Sequence, residues 1–114
     1  MAIPLKMEIK TLENPRVLDV IMEGDIDNPN NLAPLETAVT EFKGKGVMLN
    51  MKHVTYLNSA GFGELMNIAE LCTKKKMPVL ICNADEKIRS VFDCLAAGFF
   101  KMFASEHEAL KVLA

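Results

Sequence analysis

GVMLNMKHVTYLNSAGFG, residues 46–63, opens on an unbroken apolar run and ends on small and polar residues. A short run such as GVMLNM (46–51) has no polar face, the pattern of a strand buried on both sides. Strands of that kind belong to parallel sheets covered by helices. After the junction LNSAGFG (57–63), Phe62, Leu65, Met66, Ala69 and Cys72 recur at helical spacing, which predicts a helix over 60–76. A buried strand feeding directly into a helix is the basic unit of an α/β fold.

The flanks extend the same pattern. LKMEIKTL (5–12) alternates Leu5, Met7 and Ile9 against Lys6, Glu8 and Lys10, the period of a half-buried strand. RVLDVIMEG (16–24) is a second strand, hairpin-paired with the first through a turn that Pro15 makes irregular. GDIDNPNN (24–31) breaks the run as a loop. A helix then buries Leu32, Leu35, Ala38, Val39 and Phe42, capped by Asn30 or Asn31 and ended by Gly44.

MPVLICNA (77–84) is another buried strand, and DEKIRSVFDCLAAG (85–98) a helix with Ile88, Val91, Phe92 and Leu95 inward, closed by Gly98. FFKMF (99–103) is a last short strand. SEHEALKVL (105–113) is a last helix, in which Ser105 and Glu108 fit a capping box. The order β-β-α-β-α-β-α-β-α predicts one α/β domain over residues 1–114, a mixed and mainly parallel sheet of about five strands with about four helices.

Composition narrows the function. The formal net charge of −2 supplies no basic stripe, so nucleic acid is not an expected partner. The basic run Lys74-Lys75-Lys76 closes a helix and is expected to complement that helix's dipole. No apolar stretch reaches the ~18–20 residues of a membrane span, and the start of the chain does not read as a signal peptide. Three cysteines, Cys72, Cys82 and Cys94, stand in apolar contexts without CxxC spacing and read as reduced core thiols of a cytoplasmic protein.

His53 and His107 have no acids at ligand spacing, so no metal or acid–base role is expected of them. Asp25 and Asp27 form a carboxylate pair in a loop, where such residues serve turns and caps. GFG (61–63) lacks the third glycine of a dinucleotide fingerprint. No catalytic residue, metal site or cofactor is expected. Ser59 has two readings. One is an N-cap of the following helix, with Gly61 and Gly63 relieving crowding. The other is an acceptor for a phosphoryl group, whose charge would meet the free N–H groups of a helix N-terminus.

VTYLNSAGFGELM (54–66) resembles the Asp-Ser-(Ser/Thr)-Gly-Leu-Gly signature of STAS domains, the anti-sigma-factor antagonists of bacteria. The likeness covers nearly the whole chain: VLDVIMEGDID (17–27), GVMLNMKHVTYL (46–57), MPVLICNADEKIRSVF (77–92) and the Glu-Ala-Leu ending each have a counterpart in the family. Asn58 stands where the family has Asp, and Ala60 where Ser or Thr is usual. The helix before Gly98 also runs about two residues longer than is typical of the family.

The resemblance implies a STAS-like fold and a regulatory binding module without enzymatic activity. It makes Ser59 the phosphoacceptor. The kinase is then a partner anti-sigma factor of the GHKL type, and a PP2C-type phosphatase reverses the modification. The loop 24–28, residues 55–63 and the start of the helix would form the docking face, comprising Asp25, Asp27, Asn58, Ser59, Ala60, Gly61, Phe62 and Gly63. Phe62, if it points outward, supplies an apolar anchor. STAS-like domains also serve as non-switching scaffolds in stress-sensing complexes or as accessory subunits of membrane transporters, the alternative role for this chain.

Overall fold

Residues 3–96 and 100–114 are described by the structure, a computed structural model. Five strands line up in the sheet in chain order, β1 (Lys6–Leu12), β2 (Val17–Ile26), β3 (Gly46–Leu57), β4 (Val79–Cys82) and β5 (Lys101–Phe103). β1 pairs antiparallel with β2, and every later pair is parallel. The helices are α1 (Ala33–Glu41), α2 (Ser59–Lys74), α3 (Glu86–Ala96) and α4 (Glu106–Leu113). The expected element order and mixed, mainly parallel sheet are those observed.

Side-chain parity distributes the core between two faces. Val47, Leu49 and Met51 join Leu18, Val20 and Met22 in the main cluster, together with residues of α1, α2 and α3. Met48 points the other way, where Val17, Leu80 and Cys82 meet Ala109 and Leu113 of α4. The sheet advances in one direction from β2 to β5. Right-handed crossovers therefore put α1, α2 and α3 on the same face. Among the described residues, the short α4 is the helix that covers the other. This accounts for the largely apolar run of residues 46–51, interrupted only by Asn50, which lies under helices on both sides.

Several elements depart from the expected boundaries. β2 continues to Ile26, so Gly24 and Asp25 lie in the strand and the loop begins at Asp27. A 3-10 turn, Pro29–Leu32, precedes α1, and its cap is Asn28 rather than Asn30 or Asn31: the Asn28 Oδ1 accepts from Asn30 N at 2.9 Å. Leu95 is 52 % exposed and Cys94 is also exposed, so neither belongs to the core; Cys72 and Cys82 do. Their burial pushes the Cys72 thiol up to about 11 and, with help from Glu106 and Asp19, the Cys82 thiol up to about 12. Gly98, expected to close α3, and Phe99, expected in the last strand, lie outside the described residues.

The lysine run has a tertiary role that spacing did not suggest. Lys75 Nζ donates to the carbonyls of Val39 (2.7 Å), Thr40 (2.9 Å) and Phe42. It thereby satisfies the free carbonyls at the end of α1, a neighbouring helix, and brings positive charge to that helix's negative end. Gly44 is not what closes α1; the chain turns extended at Phe42. A Lys75→Met variant is expected to lose about 1–2 kcal/mol, the range for charge-assisted hydrogen bonds in a partly wet site. Lys74→Met, on an exposed side chain, is expected to stay within ~0.5 kcal/mol of the parent. Urea denaturation midpoints of the two variants check the contrast.

Candidate functional site

The junction after β3 is organised by Asn58. Its backbone is extended, and its Oδ1 accepts from Gly61 N at 2.8 Å, which makes it the N-cap of α2. Its Nδ2 donates to the Asp27 carbonyl at 3.1 Å, and its own N–H donates to the Ile26 carbonyl at 3.2 Å. One side chain thus ties the end of β3, the start of α2 and the loop after β2. An Asp at this position could cap equally well but could not make the Nδ2 bond, so Asn58 costs the local structure nothing.

The cap reading of Ser59 is therefore off by one residue. Ser59 is the first residue of α2, exposed, and its hydroxyl makes no hydrogen bond among the described residues. Asn58 uses the Gly61 N–H, and Phe62 N donates to the Asn58 carbonyl. The Ser59 and Ala60 N–H groups stand at the positive end of the helix dipole. No acidic residue occupies that first turn. A phosphoryl group on Ser59 would meet donors and positive potential there.

The two glycines of the motif differ. A Cβ on Gly61 would stand 2.3 Å from the Ile26 carbonyl oxygen, so the helix start lies against the β2 backbone and only glycine permits it. A Cβ on Gly63 would meet nothing within 4 Å. Gly63 is exposed inside a helix, where glycine is about 0.8–1 kcal/mol less favourable than alanine. Nothing in the folded chain requires it.

The expected docking residues separate by burial. Ser59, Ala60 and Gly63 are exposed, and Asp27 and Asn58 half-buried. Gly61 and Phe62 are buried. Phe62 does not point outward: its ring stacks edge-on against Phe92 and Phe100, with centroids 5.2 and 5.9 Å away. The helical stripe that includes Phe62 decides its orientation. Asp25 is 8 % exposed and fully engaged. It accepts from Thr55 Oγ1 at 2.6 Å and from Ile3 N at 2.9 Å, and these bonds hold its carboxyl below the ordinary carboxylate range. It fastens the N-terminal segment to β3.

Tyr56, which the sequence did not single out, is 51 % exposed two residues before Asn58. It borders a shallow depression of about 230 Å³ together with Thr55, Leu57, Lys87, Ile88 and Val91. The two bulges by which β3 slips against β2, between Asn50 and His53 and between Val54 and Tyr56, break strict alternation there and leave adjacent residues facing outward.

His53 and His107 are both exposed. Among the described residues no cluster of three metal-ligating side chains occurs, and no helix is long and apolar enough to cross a membrane.

Comparison with known proteins gives one family and one fold. A family model described as STAS domain matches residues 6–109. An anti-sigma factor antagonist from Mycobacterium paratuberculosis superposes with TM-score 0.78 at 18 % identity, covering 99 % of this chain and 98 % of that one. The anti-sigma factor antagonist SpoIIAA in its unphosphorylated form gives 0.76 at 16 % identity, over 95 % and 96 % of the two chains. The phosphorylated form of the Bacillus cell fate determinant SpoIIAA gives 0.71 at 14 % identity, over 96 % and 100 %. No curated protein sequence matches the chain.

The geometry predicts a graded response at the junction, read from urea midpoints. Asn58→Ala is expected to lose about 1–2 kcal/mol with the cap, whereas Asn58→Asp keeps the cap and loses only the Nδ2 bond, at about 0.5–1.5 kcal/mol. Gly61→Ala is expected to cost about 1–3 kcal/mol through overpacking against Ile26. Ser59→Ala is expected to change stability by less than ~0.5 kcal/mol. A loss at Ser59 as large as that at Asn58 would contradict the assignment of the cap.

Proposed function

The chain belongs to the STAS-domain family, and from that premise we propose that it is a regulatory protein of the anti-sigma-factor-antagonist type, switched at Ser59. In this reading it binds an anti-sigma factor that is also a GHKL-type serine kinase. Transfer of a phosphoryl group to Ser59 ends the association, and a PP2C-type phosphatase restores it. The observation that supports this best is the division of labour at the junction. Asn58 caps α2 through its side chain, which leaves the neighbouring serine hydroxyl exposed and without a hydrogen bond among the described residues. Relatives of the same fold include SpoIIAA, which occurs in unphosphorylated and phosphorylated forms.

The docking patch in this reading is Asp27, Asn58, Ser59, Ala60 and Gly63. Asp25, Gly61 and Phe62 position it from behind. Gly63 fits such a patch, because a bare helix surface lets a partner approach the backbone closely. A phosphoserine carries about −1.5 to −2 charges at neutral pH. In the free protein, water and the helix N-terminus accommodate that charge. In a closed interface it loses its water, which costs several kcal/mol unless the partner supplies counter-charges.

Binding of the cognate anti-sigma factor, measured by calorimetry, tests the reading. Ser59→Ala is expected to bind like the parent, and Ser59→Asp about a hundredfold more weakly, equivalent to ~2.7 kcal/mol. Equal binding by both variants would remove Ser59 from the interface. Gly63→Ala is expected to raise stability by about 0.5–1 kcal/mol while weakening the same complex. A Gly63→Ala protein that is more stable and binds unchanged would place Gly63 outside the patch.

A further inference from the structure

On the face opposite α1, α2 and α3, the first turn of α4 covers a buried polar cluster. Asp19 of β2 is 1 % exposed, and its Oδ1 has no hydrogen-bond partner among the described residues. Glu106, the first residue of α4, faces it and accepts from Asn50 Nδ2 at 2.7 Å. Asn50 Oδ1 in turn accepts from Asn83 Nδ2 at 3.2 Å and Lys52 N at 3.0 Å, so its acceptor is committed elsewhere. β1 contributes Lys10, whose Nζ is 3.9 Å from Asp19 Oδ2, and Glu8. β4 contributes the Cys82 thiol, which burial keeps uncharged. Among the described residues, three carboxylates thus share the surroundings of one half-exposed lysine.

A buried carboxylate oxygen without a donor is costly when ionised, and a second carboxylate facing it adds to the cost. A proton on Asp19 removes both terms, because the resulting hydroxyl can donate to Glu106. The apolar hold on α4 is small: Ala109 and Leu113 are its buried residues.

We propose that Asp19 and Glu106 form a proton-operated latch, closed when Asp19 carries a proton and donates to Glu106, and released when its loss leaves two carboxylates opposed beneath the first turn of α4. The latch does not depend on switching at Ser59. Burial, then Glu106, raises the Asp19 carboxyl from 3.8 to about 6. A raised folded value means that the closed form holds its proton more tightly than an open one. Its advantage is complete below pH ~4 and disappears as pH rises through about 6. His107, an ionisable side chain on the same turn, is exposed and does not face Asp19.

Amide hydrogen exchange of the full chain at pH 5 and pH 7.5, corrected for intrinsic rates, tests the latch in a His107→Gln background. Protection of Ala109 to Lys111 is expected to fall about tenfold across that range relative to Val47–Leu49 in β3. Asp19→Asn is expected to abolish the pH dependence, and Glu106→Gln, the second variant should the first not fold, to reduce it, because burial of Asp19 remains. Three results would overturn the proposal: unchanged α4 protection in the His107→Gln protein with Asp19 and Glu106 intact, an equal fall in β3, or an undiminished fall in a variant that folds.

Discussion

The Asn58 side chain is the constraint on which the rest of the junction depends. Its amide oxygen closes the first turn of α2, and its amide nitrogen holds the loop after β2. Gly61, directly beneath, lets the helix start rest on the Ile26 carbonyl. Two stretches distant in sequence, the β3–α2 junction and the end of β2 with its following loop, meet at one residue, so the exposed positions beside it are presented on a fixed frame. A residue that carries a switch benefits from such a frame, because a charge added at a rigid point is not absorbed by local rearrangement.

Much of this was legible in the sequence, for physical reasons that particular residues illustrate. The largely apolar run at 46–51 reports a strand covered on both faces, and alternation at 5–12 reports one that is not. The stripe through Phe62, Leu65, Ala69 and Cys72 reports the buried face of α2. That stripe also competes with any outward role for Phe62, and in the fold it prevails. The residual uncertainty was one of register: Asn and Ser are equally good caps, and only the backbone angles show which of them takes the extended position.

The contacts that the sequence could not disclose are long-range. Thr55 satisfies Asp25 from a neighbouring strand, so a residue that looked like a loop carboxylate became a tether. Lys75 leaves its own helix to bind the carbonyls that end another. Asp19 sits inside a run of branched apolar residues, and nothing local announces that Glu106 will face it. Each depends on which elements the sheet order brings together. The regulatory reading divides similarly. Family membership rests on the whole chain, whereas the candidacy of Ser59 rests on a hydroxyl that its neighbour leaves free.

The central claim, that Ser59 is where this protein is switched, is tested most directly by intact mass and site-resolved mass spectrometry. The protein would be isolated from its native cells with and without phosphatase treatment. The account predicts a form one phosphoryl group heavier, with the group on Ser59 and removable by the phosphatase. A chain unmodified at Ser59 in growing, starved and stressed cells alike would contradict it.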